Sequence, residues 1–163
     1  MKKKSFKKGY ALFTAIILTG ILVLIAYGTA NLSIKQLLLT VNSADSHTTF
    51  YVADSGIECA MFWDIKNPNN PTISAFDISN SSGSVTCGGA TVTTGSQTVL
   101  GQPSRVGGGG AGNRTSVFQV PVNSSCAIVY VTKNADNTTM IESRGYSSCA
   151  GVDRLERAIR ITY

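Results

Sequence analysis

The first 34 residues decide the fold of this chain. Residues 2–34 read KKKSFKKGYALFTAIILTGILVLIAYGTANLSI. Five lysines precede a stretch without charged residues from Gly9 to Ile34, in which twelve residues are Leu, Ile, Val or Phe. About 25 residues at 1.5 Å rise each form a helix long enough to span a bilayer. The lysines predict that the N-terminal end stays in the cytoplasm, by the positive-inside rule.

The same lysines supply the net charge of the whole chain. The 163 residues include 14 Lys and Arg against 9 Asp and Glu, a formal net charge of +5. The excess comes from Lys2, Lys3, Lys4, Lys7 and Lys8. From Tyr10 onward, nine cations balance nine acids. A basic protein that binds nucleic acid carries its charge on the folded domain, so nucleic acid is not an expected partner here.

The helical pattern continues past Lys35 and becomes amphipathic. No proline occurs between Tyr10 and Asn67, and we predict one helix from about Tyr10 to Trp63. Lys66-Asn-Pro68-Asn-Asn-Pro71 ends it. The predicted apolar stripe, at spacings of three and four, is Ile34, Leu37, Leu38, Val41 and Ala44, then Phe50, Ala53, Ile57, Ala60 and Met61. Polar residues on the other face are Asn42, Asp45, Asp54 and Glu58.

After the helix, the composition shifts to Ser, Thr, Asn and Gly, which is typical of loops and short strands. The candidate strands are Ser84–Cys87, Ala90–Leu100, Ser116–Val122, Ala127–Lys133, Met140–Arg144 and Leu155–Tyr163, with a hairpin turn at Asn134–Asn137. A sheet with one apolar face needs a cover, which the stripe from Val41 to Met61 supplies. We therefore predict an α+β fold, with a long N-terminal helix packed on an antiparallel sheet of about four or five strands.

The residues alone leave three interpretations of the N-terminal segment. A secretory signal peptide would be cut after Gly28-Thr29-Ala30, where small residues stand at suitable offsets. The apolar stretch before that site has about 20 residues, however, and the usual length is about 7–15. The second interpretation is an uncleaved membrane anchor. The third depends on the junction between the lysines and the apolar stretch.

That junction, Lys7-Lys8-Gly9-Tyr10-Ala11-Leu12, resembles the precursor of a type IV pilin. The resemblance implies that a prepilin peptidase cuts after Gly9 and methylates the new N-terminus, Tyr10. Phe50-Tyr-Val-Ala-Asp-Ser-Gly-Ile-Glu58 resembles the segment A-F-x-A-A-E-A-G-L-E of PilX-type minor pilins. The closing segments 142–146 and 157–163 resemble the last strands of such chains.

Thr14 departs from the pattern of major pilins, which carry a glutamate at the fifth position of the mature chain. In the family, that carboxylate is thought to neutralise the N-terminal amine of a neighbouring subunit, since an unpaired charge in an apolar core costs several kcal/mol. A threonine has no charge to offer, although its hydroxyl can donate to a helix carbonyl. Tip and initiating subunits often lack the glutamate, so Thr14 favours a minor subunit. A divergent major pilin that tolerates threonine is the alternative.

The resemblance implies a leader at 1–9, a transmembrane and filament-core half of the helix at 10–35, an amphipathic half at 36–66 and a globular domain at 67–163. It implies a single-pass precursor in the cytoplasmic membrane and a mature subunit in an extracellular pilus. The implied partners are the prepilin peptidase, membrane lipid before assembly and other pilin subunits, which contact the helix. The implied roles are initiation or tip formation, assembly and adhesion to an unidentified ligand. The alternatives are a pseudopilin of a secretion or DNA-uptake machine, and an exported binding module such as an adhesin.

Four cysteines follow the membrane segment, an even number in a domain predicted to be exported. Export to an oxidising compartment favours two disulfides, and four cysteines allow three pairings. We predict Cys59–Cys87 and Cys126–Cys149 because these are nearest neighbours along the chain. A zinc site is not expected, since closely spaced pairs such as CxxC do not occur.

The remaining polar residues do not suggest catalysis. His47 is the only histidine, and we expect it on the solvent face of the helix. Asp54 and Glu58 lie four residues apart, as expected of a hydrated face or of contacts to cations of a neighbour. For Arg154, Arg157 and Arg160, we expect either salt bridges along a surface strand or a patch that binds a partner or DNA. The glycines at 107–112 lack the Lys-Ser/Thr of a phosphate loop. We expect no enzyme activity, no cofactor and no metal.

Overall fold

The computed structural model describes residues 8–80, 83–107, 115–134, 136–150 and 154–163, and at Lys8 and Gly9 it describes the backbone only. One α-helix, α1, spans Lys8–Ile65. Eight strands follow: β1 Ser84–Cys87, β2 Ala90–Thr93, β3 Thr98–Val99, β4 Gln102–Pro103, β5 Thr115–Val122, β6 Ser125–Lys133, β7 Thr139–Tyr146 and β8 Glu156–Thr162. The α+β class is confirmed, and both helix ends lie within two residues of the prediction.

The chain divides into two compact units, with the boundary after Ser43. In the first unit, every side chain from Tyr10 to Ser43 is exposed except that of Thr14, which is half-buried. The leader residues 1–7 lie outside the described residues. This part of α1 is therefore apolar on all sides and has no protein cover of its own.

The second unit, from Ala44 to Tyr163, contains a four-stranded antiparallel sheet in the order β5-β6-β7-β8. Two short antiparallel ribbons, β1-β2 and β3-β4, accompany it. The turn predicted at Asn134–Asn137 connects β6 to β7, and Lys133 pairs with Thr139 across it. The sheet has the predicted number of strands, and its order follows the chain.

The predicted strand Ala90–Leu100 is wrong, because the chain turns in its middle. Gly95 has φ of 80°, a left-handed conformation that glycine adopts without steric cost, and the turn separates β2 from β3. β3 then pairs with β4, a short strand that the sequence did not indicate.

The core of the second unit lies between α1 and one face of the sheet. Val52, Ile57, Ala60 and Trp63 of the helix belong to one buried cluster with apolar residues of β5, β6 and β7. Within that cluster, the rings of Phe76 and Phe118 stack with centroids 5.6 Å apart.

The predicted apolar stripe is wrong from Ile34 to Phe50, where all six of its members are exposed. Val41 and Phe50 are 52% and 49% exposed, whereas Thr49 is completely buried. Thr49 and Ala53 face the sheet where the helix backbone comes very close to Gly145 of β7. The approach is so close that a Cβ atom on Gly145 would clash with the backbone of both residues. This close approach leaves no room for the ring of Phe50 on the buried face.

Candidate functional site

The junction that resembles a prepilin cleavage site lies at the start of α1. The side chain of Tyr10 is 74% exposed. The Thr14 hydroxyl donates to the backbone carbonyls of Tyr10 and Ala11, with O···O distances of 3.1 and 3.0 Å. Thr14 therefore satisfies its polar group within its own helix, as the sequence predicted. Cleavage after Gly9 and methylation of Tyr10 stay predictions.

The apolar part of α1 is long and apolar enough to cross a membrane. The serine and threonine hydroxyls that follow behave like that of Thr14: Thr19, Thr29 and Ser33 all donate to carbonyls three or four residues earlier. In hydrocarbon, polar groups must find partners within the protein. Hydrogen bonding to the helix backbone therefore lowers the cost of placing these hydroxyls in lipid.

One predicted disulfide is present and fastens the helix to the first ribbon. Cys59 of α1 is bonded to Cys87 of β1, with their Cα atoms 6.0 Å apart. One turn later, the indole Nε1–H of Trp63 donates to the carbonyl of Thr86 at 3.1 Å. The two contacts together hold β1 against the last two turns of the helix.

The second predicted pair, Cys126 and Cys149, carries free thiols in the structure. Cys126 is buried on β6 and Cys149 is exposed after β7. Burial, reinforced by the neighbouring Cys149 side chain, raises the pKa of the Cys126 thiol to about 12. The two thiols are therefore neighbours, and their oxidation to a disulfide stays a prediction.

A polar cluster joins the end of the helix to the end of the chain. The Asp64 carboxylate is almost fully buried and accepts hydrogen bonds from Lys133, Ser74 and Tyr163, with Lys133 Nζ 2.6 Å from Oδ1. Burial raises the pKa of the Tyr163 hydroxyl well above its usual value, and Asp64 reinforces the shift. The sequence analysis missed this cluster, because its members are up to 99 residues apart and no local pattern connects them.

The sheet face turned away from α1, which we call the outer sheet face, carries several arginines at its surface and a small buried apolar cluster of Val99, Cys126, Ile128 and Tyr146. The Glu142 carboxylate accepts hydrogen bonds from Arg160 and Arg144. Arg160 makes the largest contribution to lowering the pKa of Glu142, and Arg144 makes a smaller one. The Arg144 guanidinium lies over the Tyr130 ring, 5.5 Å from its centroid. Arg154 lies over Tyr146 in the same way, at 4.0 Å. Alternation along β7 places these groups on one face.

A hollow of about 230 Å³ opens at one end of the outer sheet face, beside the β3-β4 ribbon. Val117 and Tyr130 of the sheet line it together with Val99, Leu100 and Arg105 of the ribbon region. Leu100 is 59% exposed and has φ of 51°, which is unusual for a leucine. Arg105 has no ion-pair partner among the residues that the structure describes.

The helix face turned away from the sheet, which we call the outer helix stripe, consists of His47, Tyr51, Asp54, Glu58 and Phe62. These positions recur at spacings of three and four, and all five side chains are exposed. Neither acid forms an ion pair within the described part of the chain. His47, Asp54 and Glu58 therefore lie on the solvent side, as predicted.

The C-terminal arginines are distributed over two faces. Arg154 and Arg160 lie on the outer sheet face, whereas Arg157 reaches the helix, and its Nε donates to Ser46 Oγ at 2.9 Å. The salt bridge of Arg160 with Glu142 agrees with the prediction of a paired surface strand. Of the glycine-rich segment 107–112, only Gly107 lies within the described residues.

The described residues do not bring together three or more His, Cys, Asp or Glu side chains that could hold a metal ion. No family model matches this chain, and neither the curated proteins nor the solved structures contain a significant match.

Proposed function

We propose that this chain is a minor subunit of a type IV pilin-like filament, made as a membrane-anchored precursor and processed after Gly9. The observation that carries the proposal is the lysine-glycine-tyrosine junction directly at the start of a helix without interruption from Lys8 to Ile65. One helix then provides both the apolar segment and the packing face of the folded body. Its function is mechanical, since the helix anchors the subunit and the body forms an outer surface.

The distribution of exposed apolar residues favours this proposal over a cleaved signal peptide. Cleavage after Ala30 would cut within α1 and leave an apolar helical segment on the exported product. Its members, all more than half exposed, are Leu32, Ile34, Leu37, Leu38, Leu39 and Val41. A water-soluble protein rarely exposes such a continuous apolar surface. In a filament, neighbouring helices would cover it.

Processing is tested by the intact mass of the protein purified from cell envelopes with a prepilin peptidase present. The expected mass corresponds to loss of residues 1–9 and gain of one methyl group at Tyr10. Gly9→Ala should leave the precursor unprocessed, because the family's peptidase requires the glycine. Gly20→Ala is the matched control: Gly20 lies in the same helix, and its Cβ position is open.

The other outcomes identify the alternatives. Cleavage after Ala30 would indicate an exported binding module, and an uncleaved chain would indicate a permanent anchor; either would contradict the proposal. If processing occurs, immunogold labelling separates the remaining two possibilities, because a pilus subunit labels extended fibres and a pseudopilin stays at the envelope.

A further inference from the structure

We infer that the second unit contacts a second copy of this chain front to back, with the outer helix stripe of one copy on the outer sheet face of the next. The inference rests on the proposed function, which makes the chain a subunit of an assembly. It goes further by naming the two surfaces and the partner.

The two surfaces lie on opposite sides of the second unit. The helix packs on one face of the sheet through Val52, Ile57 and Trp63. The outer helix stripe points away from that contact, and the outer sheet face lies on the far side of the sheet. A contact between two different surfaces of identical subunits is heterologous, and it repeats without closing when the geometry permits. The contact therefore joins two copies through two different surfaces and does not require a filament made of this chain alone.

The charges of the two surfaces are complementary. The outer helix stripe carries Asp54 and Glu58 and no cation other than the single histidine. The outer sheet face and the hollow beside it carry four arginines, at 105, 144, 154 and 160, against two glutamates, at 142 and 156. Two unpaired carboxylates thus meet a face with two cations in excess. Complementary charge fixes the register of an interface and disfavours like surfaces.

The shapes of the two surfaces also correspond. The outer helix stripe presents exposed aromatic rings on both sides of its acids, with Tyr51 65% exposed and Phe62 47% exposed. The outer sheet face offers the hollow lined by Tyr130, Val117 and the exposed Leu100. Aromatic and arginine side chains are enriched at the centres of protein interfaces, where rings fill pockets. An aromatic ring from the stripe entering this hollow would place the acids beside the arginines.

Charge reversal tests the contact with the full-length chain in detergent micelles, with donor and acceptor dyes on separate pools at the amino terminus. We expect energy transfer between wild-type copies. Glu58→Arg and Arg105→Glu should each weaken self-association at least about tenfold, because each reversal sets like charges against each other. Arg105 is chosen because it has no ion-pair partner in the described residues. Reversing its charge therefore leaves no carboxylate of the same subunit without its cation.

The decisive sample is a mixture of the two variants. Each variant associates only weakly with itself, but in the mixture the stripe of one variant meets a sheet face of opposite charge on the other, so mixing them should restore energy transfer. Arg157→Glu is the matched control, since Arg157 lies on the helix side of β8 and hydrogen-bonds to Ser46. It should associate like the wild type.

Three results would overturn the inference: wild-type copies that do not associate, single reversals that associate like the wild type, or a mixture that stays apart. Should Arg105→Glu lower the melting temperature, Glu58→Arg alone decides, because its position is exposed on the helix. The experiment is independent of leader processing. An unprocessed leader with intact association contradicts only the pilin assignment, and a processed leader without association contradicts only the front-to-back contact.

Discussion

Two buried serines in the sheet show how a single hydroxyl can stabilise or destabilise this fold. Ser116 on β5 is 2% exposed and accepts a hydrogen bond from the Gly107 N–H at 2.9 Å. Ser143 on β7 is completely buried, and its hydroxyl has no partner among the described residues. It lies against Gly56 of the helix, where a Cβ atom would clash with it. Desolvating a hydroxyl without a compensating hydrogen bond costs free energy.

The same substitution at the two serines is therefore expected to have opposite effects. Ser143→Ala removes an unsatisfied hydroxyl and should leave the free energy of unfolding unchanged or raise it. Ser116→Ala leaves the Gly107 N–H buried without an acceptor and should lower that free energy by about 1–3 kcal/mol. Chemical denaturation of the two variants beside the wild type measures both effects. An equal loss in both variants would contradict the assignment of Ser143 as unsatisfied.

At the scale of secondary-structure elements, the two cysteine pairs connect different parts of the fold. Cys59–Cys87 holds α1 to β1, whereas Cys126 and Cys149 lie at the end of the sheet where β6 and β7 pair. The exposed Cys149 sulfur is the one that an oxidant reaches first. The Cys126 thiol, whose pKa burial raises to about 12, then loses its proton as its sulfur attacks the oxidised Cys149 sulfur and displaces the group that the oxidant left there, which closes the bridge.

If the second unit is exported, as the proposed function requires, we expect it to contain both disulfides. Peptide mapping without reduction should recover Cys126 joined to Cys149 together with Cys59 joined to Cys87. Cys149→Ser should lower the free energy of unfolding by about 3 kcal/mol, the usual contribution of a bridge that closes a loop of this size. A peptide joining Cys59 to Cys126 would contradict the pairing.

The elements that the sequence predicted well are those with strong local signals. Prolines fix the end of α1, and runs of β-branched residues mark β5 and β6. The errors arise where tertiary contacts decide. Phe50 is more apolar than Thr49, yet the close approach at Gly145 selects the smaller side chain for burial.

The candidate surfaces were predictable to different degrees. The outer helix stripe follows from helical spacing, and its exposed acids were expected. The outer sheet face needed the strand register, in which Tyr130, Glu142 and Arg160 form one row across three strands. Local sequence gives no such register, since it depends on turns and on which face is buried.

At the scale of the whole molecule, the net charge of +5 distinguishes the full chain from the chain that would remain after the proposed processing. All of the excess lies in residues 1–9, which the proposed processing removes. Under that proposal the lysines orient the precursor in the membrane, and the mature chain is formally neutral. A neutral subunit with unlike charges on opposite surfaces can pack beside copies of itself without the repulsion that a net charge would cause.

The division after Ser43 predicts that the second unit folds without the apolar first unit. All buried side chains of the described residues lie at Thr49 or later, so the first unit adds nothing to this core. A chain that begins at Ala44 frays only in its first helical turn, where the backbone N–H groups lack acceptors. It should stay in solution without detergent, keep Cys59–Cys87, and melt within a few degrees of the full-length chain.

A chain that begins at Asp54 is the comparison, since it loses the buried Thr49, Val52 and Ala53 and should melt far lower. Equal melting temperatures for the two truncated chains, or aggregation of the longer one, would contradict the independence of the second unit.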